Sequence, residues 1–174
     1  MAMTFELHPA GLTDAALLAQ CVVRRQRRSG PGGQHRNKVE TAIVLVHEAT
    51  GIRGEASERR SQAQNLQMAI QRLRVKLAIA VRSSTVDLTN LGRSELWLSR
   101  VRGRQIVVSV THTDFPTLLA EALDVLAACE FDCKSAGGIL ACTPSQLVKF
   151  LKLEPEALLA VNEQRRQREL STLR

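Results

Sequence analysis

Apolar positions along the chain fall first into short runs with strand character and then into longer ones with helical spacing. Thr13–Gln20 predicts a short helix with Thr13 as its side-chain cap. Cys21-Val22-Val23 runs into a cluster of arginines and predicts a strand. Thr41–His47, aliphatic and β-branched, predicts a second strand. Glu48–Gly51 reads as a turn, and Gly51–Ala56 as a short third strand. From Ser57 to about Val81, Leu66, Ala69, Ile70, Leu73 and Leu77 recur at helical spacing, with Arg72, Arg74 and Lys76 including outward positions. This is the longest predicted helix.

Residues 83–103 carry little pattern beyond the apolar triplet Leu96-Trp97-Leu98. Gln105–Thr111 is rich in β-branched residues and predicts a strand that completes a sheet against the long helix. Asp114-Phe115-Pro116 opens a further helix, with Asp114 as cap and proline in the first turn. Next come a short helix at Lys134–Leu140, weakened by Gly137 and Gly138, and a turn at Ala141-Cys142. A helix opening at Thr143-Pro144 follows, an arrangement like a helix-turn-helix. Glu154-Pro155 starts the last helix, which ends in Arg165-Arg166-Gln167-Arg168 and a short basic tail. The expected fold is α+β: a small β-sheet with a packed helix, carrying a glycine loop, in residues 1–111. Residues 112–174 form a helical C-terminal subdomain.

Charge adds what pattern alone does not. The net charge of +7 is unevenly spread: residues 21–82 hold 13 Lys and Arg against 4 acids, and residues 83–174 hold 11 against 11. A basic excess concentrated in one segment points to a polyanionic partner. Aromatic residues make up 3% and tyrosine is absent, so the core is aliphatic and base stacking is not the means of holding RNA. No apolar run is long enough to span a bilayer, and the N-terminus lacks the marks of a secretory signal, so the expected setting is cytoplasmic. Cys21, Cys129, Cys133 and Cys142 lack disulfide-framework spacing, and no histidine completes a metal set with them. They read as reduced apolar fillers, with no metal and no cofactor expected.

Between the first two strands lies Ser29-Gly30-Pro31-Gly32-Gly33-Gln34-His35, flanked by Arg24-Arg25-Gln26-Arg27-Arg28. Three glycines and a proline in four positions extend neither helix nor strand, and they let bare backbone approach another molecule closely. Ser29 lacks the setting of a nucleophile elbow, and no GK[ST] marks a phosphate loop.

SGPGGQHRNKVETAIVL resembles the catalytic loop of class I peptide-chain release factors and their stalled-ribosome rescue relatives. A second block, Thr50-Gly51-Ile52 followed by Glu58-Arg59-Arg60-Ser61-Gln62 and Asn65, resembles the same family at its own spacing. The likeness covers roughly Cys21 to Val81. It implies that Gly32, Gly33 and Gln34 enter the peptidyl-transferase centre and promote hydrolysis of peptidyl-tRNA. In that role the Gln34 backbone N–H serves the developing oxyanion and its side-chain amide orients water. Ser29, Gly30, His35 and Asn37 would support the loop. Arg24, Arg25, Arg27, Arg28, Arg36, Lys38, Arg59 and Arg60 would meet RNA, with Arg165, Arg166 and Arg168 gripping it from the tail. Arg36 departs from the family, which commonly has a small apolar residue there. The implied partners are the ribosome, through its RNA and peptidyl-tRNA, and a glutamine methyltransferase that modifies Gln34.

Only 28 residues precede Ser29, too few for a stop-codon-reading domain, so the expectation is codon-independent release on stalled ribosomes. The rival reading is a non-catalytic RNA- or DNA-binding module that uses the helix-turn-helix-like segment.

Overall fold

The computed structural model describes residues 8–26, 41–83 and 93–174. The chain packs as two compact units, one of residues 9–77 and one of residues 78–174 together with the stretch ending at His8. The first unit opens with a 3-10 turn at Pro9–Gly11 and helix α1, Asp14–Leu18. The predicted cap is in place: Thr13 Oγ1 accepts from the Ala16 N–H. Strands β1 (Cys21–Gln26), β2 (Ala42–His47) and β3 (Arg53–Ala56) then form an antiparallel sheet in the order β1-β2-β3.

The central strand is buried along most of its length, which explains its unbroken apolar run. β1 lies at the sheet edge, and every residue after Cys21 is exposed. β3 alternates, burying Gly54 and Ala56. Helix α2, Gln62–Ala80, buries Ala69, Ile70, Leu73 and Leu77, the predicted stripe. Strand and helix meet so closely at Gly54 that a Cβ there would stand 2.4 Å from the Ala69 carbonyl oxygen and 2.6 Å from Leu73 Cβ. Only glycine fits. The turn between β2 and β3 is closed by buried His47, whose ring nitrogens meet Thr50 Oγ1 at 2.8 Å and Gln20 Oε1 at 3.2 Å. Burial pushes the His47 imidazole below its ordinary pKa, against the pull of Glu48.

The sequence places the start of this helix at Ser57, but α2 begins at Gln62. The intervening residues are held in a turn by side chains: Glu58 accepts from the Ser57 N–H, and Asn65 takes both backbone groups of Arg59.

The second unit begins with Ser94-capped helix α3, Glu95–Arg100, which delivers Trp97 to the core. The expected strand at Gln105–Thr111 is corrected. Only Gln105–Ile106 (β5) is paired, with Val101–Arg102 (β4), in a separate two-stranded hairpin that does not join the three-stranded sheet. Beyond Ile106 one further bond crosses the hairpin, from the Val107 N–H to the Arg100 carbonyl at 2.8 Å, and the run then turns, with the His112 N–H bonding back to the Ser109 carbonyl. Strand propensity reports a fit to a pleated surface, and here that surface is two residues long.

Helix α4, Phe115–Ala128, buries nearly every position from Phe115 to Leu126. Asp114 is not its side-chain cap: residue 114 is helical, and its carboxylate instead holds Arg100 at 2.5 Å. Helix α5, Cys133–Ile139, is capped by Asp132, and helix α6, Pro144–Leu151, by Thr143. These two helices, joined by a turn, occupy the segment read from the sequence as like a helix-turn-helix. Gly137 permits its tight turn, because a Cβ there would lie 2.9 Å from the Cys142 carbonyl oxygen. Trp97 Nε1 donates to the Leu140 carbonyl at 2.8 Å and its ring meets Phe150 edge-on. Helix α7, Pro155–Gln167, ends the described helices. The four cysteines are free thiols, and burial pushes Cys133 and Cys142 up, Cys142 to about 11. None of the described helices is long and apolar enough to cross a membrane.

Candidate functional site

The register of the first two strands pairs Cys21 with His47 and, at the other end, Gln26 with Ala42. Strand partners stand about 4.5–5.5 Å apart. Gln26 and Ala42, which bracket residues 27–41 in the sequence, therefore stand side by side on the sheet. The expected catalytic residues Gly32, Gly33 and Gln34 belong to that stretch. So do Arg27, Arg28, Ser29, Gly30, His35, Arg36, Asn37 and Lys38. All of them lie outside the described residues.

The end of this stretch, at Thr41, is fastened by Asn65. Its side chain is wholly buried, and its Nδ2 donates to the Thr41 carbonyl at 2.7 Å and to the Arg59 carbonyl at 2.9 Å. Its Oδ1 accepts from the Arg59 N–H at 2.9 Å. Helix α2 positions this amide in its first turn, where Ser61 accepts from the Gln64 N–H and the Asn65 N–H reaches the Ser61 carbonyl. One buried amide thus joins the loop exit to the exposed pair Arg59 and Arg60. Arg72 braces the same segment from the helix side, through Glu58 at 2.7 Å and the Glu55 carbonyl at 2.7 Å.

Asn65 stands in the second family-like block, yet spacing alone assigns it no role. With Gln62, Gln64, Gln67 and Gln71 in the same helix, the amide by itself was no signal. Arg24 and Arg25 are exposed, as an RNA-facing role requires, but they are consecutive on a strand and so point to opposite faces of the sheet.

The tail cations have partners within the chain. Arg165 is buried, with Nε on the Ser171 carbonyl at 2.7 Å and Nη1 on the Phe131 carbonyl. Arg168 pairs with Glu130 at 2.9 Å and lies over the Phe131 ring, 4.8 Å from its centroid. Arg166 pairs with Glu163 at 2.7 Å. Glu130 and Phe131 both have positive φ, so the arginines brace a strained turn between α4 and α5. Among the described residues no group of three His, Cys, Asp or Glu is arranged to hold a metal ion.

Comparison with known proteins meets this geometry. Residues 19–96 match the RF-1 domain family. A rat protein, peptide chain release factor 1-like, mitochondrial, is 44% identical over 52 residues, covering 30% of this chain and 14% of its own. Peptide chain release factor 2 of Sulfurimonas denitrificans is 35% identical over 78 residues, 44% of this chain and 21% of its own. Peptide chain release factor 1 of Symbiobacterium thermophilum is 45% identical over 53 residues, 30% and 15% of the two chains. The chain therefore spans no more than 21% of the length of these relatives. No solved structure matches it significantly. Residues 19–96, which hold both the glycine stretch and Asn65, match the RF-1 domain and are similar to class I peptide-chain release factors.

Proposed function

We propose that the chain hydrolyses peptidyl-tRNA within the ribosome, releasing the nascent peptide without reading a codon, on ribosomes that have stalled. The observation that carries this reading is the coincidence of the RF-1 match with the Gly32-Gly33-Gln34 stretch and with the paired strands that bracket it in the sequence. Ester hydrolysis needs an admitted water and a donor for the oxyanion of the tetrahedral transition state. The Gln34 backbone N–H, unobstructed after two glycines, is such a donor, and losing one costs about 10²–10³ in rate. The Gln34 side-chain amide orients water and excludes larger nucleophiles. It has no titration near neutral pH and cannot act as a base, so RNA hydroxyls move the proton.

Basic residues Arg24, Arg25, Arg27, Arg28, Arg36, Lys38, Arg59 and Arg60 hold the ribosomal RNA. Arg165 is left out of this set because its guanidinium is buried on carbonyls. Codon independence accords with the kind of groups available, since phosphate contacts position a protein without specifying sequence. A glutamine methyltransferase acting on Gln34 is a further proposed partner.

The test is release of labelled peptide from ribosome complexes with and without a stop codon. Equal release is expected, abolished by Gln34→Ala with binding retained. A hundredfold preference for stop codons, about 2.7 kcal/mol, would remove the codon-independent reading. The second reading, a non-catalytic nucleic-acid-binding module, is favoured by the helix-turn-helix-like α5–α6 segment. It is the outcome if the wild-type chain binds but releases nothing.

A further inference from the structure

Five arginines of the second unit are tied to partners: Arg82 to Asp124, Arg100 to Asp114, Arg165 to two carbonyls, Arg166 to Glu163 and Arg168 to Glu130. Among the described residues, seven other cations are not: Arg93, Lys134 and Arg174, and four that fall into two segments of the fold. Arg102 and Arg104 of the β4–β5 hairpin, and Lys149 and Lys152 at α6, are exposed, and their side chains make no hydrogen bond or ion pair among the described residues.

Residues 83–174 have no net charge, but their charges are segregated. The segments 101–113 and 133–153, which hold these four cations, contain no Asp or Glu. The acids lie instead at Asp87 and Glu95, at Asp114 and along α4, in the turn at Glu130 and Asp132, and from Glu154 to Glu169.

The two basic segments meet in space. β5 packs against α6. Burial pushes the Cys142 thiol in the α5–α6 turn up to about 11, while the charge of the Arg104 guanidinium pulls it back. On α6, Ser145, Lys149 and Lys152 share one exposed face at i, i+4 and i+7, opposite buried Leu147, Phe150 and Leu151. On the hairpin, Arg102 and Gln105 form an exposed cross-strand pair, and Val101 and Ile106 a half-buried one. At its tip Arg104 follows Gly103 in the left-handed region, at φ +66°, a conformation unfavourable for a side-chain-bearing residue. All the described aromatic rings are buried, so this surface has no platform for stacking the bases of a single strand.

We propose that the hairpin tip and the exposed face of α6 form a second RNA-binding surface, gripping the phosphate backbone of a double-helical segment. The choice of RNA rests on the peptide-release reading above, and the surface itself rests on the charge arrangement.

The test compares the full wild-type chain with R102Q/R104Q/K149Q/K152Q for binding to a short mixed-sequence RNA duplex over a KCl series. Neutralising four phosphate contacts should lower the slope of log K against log salt by about 3, at 0.7–0.9 per contact. R102Q/R104Q, confined to an exposed hairpin, should lower it by about half as much and remains informative should the quadruple variant fold poorly. R166Q, whose charge is already paired, should leave it unchanged. An unchanged slope in the hairpin variant overturns the surface. A DNA duplex of the same sequence bound as tightly, and lost in the same variant, overturns the assignment to RNA. Peptide release by the wild type, assayed separately, tests the other reading. A chain that releases no peptide yet shows the slope change keeps this surface and loses that function.

Discussion

The Asn65 amide donates to the carbonyl oxygen of Thr41, 24 positions earlier, at 2.7 Å. That bond marks where the glycine stretch ends and the sheet begins. Its side chain is the only protein group among the described residues that ties the loop exit to helix α2 at that carbonyl.

Asn65→Ala should leave the Thr41 carbonyl and the Arg59 N–H without their buried partner. The expected cost is about 1–3 kcal/mol in urea unfolding, with a larger relative fall in peptide release than in ribosome binding. Asn65→Asp, which keeps the acceptor for Arg59 and loses the donor to Thr41, should recover part of the stability and little of the release. Release at the wild-type level in both variants would show that the loop is positioned by other means.

Gly54→Ala tests the contact between β3 and α2. A methyl group 2.4 Å from a backbone oxygen cannot be accommodated by a side-chain rotation. Overpacking of this kind costs about 1–3 kcal/mol, or more where backbone must move. Gly51→Ala, with open space around it and φ +70°, should cost about 1 kcal/mol from backbone strain alone. A Gly54 variant as stable as the wild type would contradict the packing.

Arg165→Ala and Arg166→Ala separate two kinds of cation. The first leaves the Phe131 and Ser171 carbonyls without a charged donor, and should cost about 1.5–3 kcal/mol. The second removes an exposed pair and should stay within about 0.5 kcal/mol. Thermal unfolding measures both. Equal effects would mean that burial of Arg165 has no energetic weight.

His47 gives a pH dependence with a definite sign. Burial lowers its pKa in the folded chain, so the unfolded chain takes up the proton first. The neutral ring's contribution is fully present above the ordinary imidazole value of about 6.5 and declines as pH falls below it toward the depressed folded value. The stability gap between wild type and His47→Gln should therefore shrink between pH 7 and pH 5 in urea unfolding. A gap constant across that range would contradict the burial of a neutral imidazole.

Local signals were legible where the cause of the structure is local. Thr13 caps its helix through a bond three residues away, and the β2 run and the α2 stripe each follow from their own spacing. Elements with a distant cause were not legible. The start of α2 is set by Asn65 holding Arg59 and by Glu58, not by propensity at Ser57. The run from Val108 to Thr111 has strand composition but no partner ladder, and nothing in it reveals that. Asp114 has the identity and place of a cap, but Arg100 claims its carboxylate. Arg165 reads as one more solvated charge until the fold brings Phe131 and Ser171 to it. The likeness of residues 19–96 to the RF-1 domain was legible in short motifs because it is carried by the identity and spacing of a few residues.

The exposed edge strand β1 carries its own hazard. With Val22 and Val23 39% and 44% exposed, it offers a second chain apolar side chains together with a strand edge. Edges of this kind template association between copies. Arg24 and Arg25, one on each face, set like charges against each other whenever two such edges approach. These two arginines, proposed above to meet RNA, therefore also oppose pairing of the chain with itself, and neutralising them should be felt first as lost solubility.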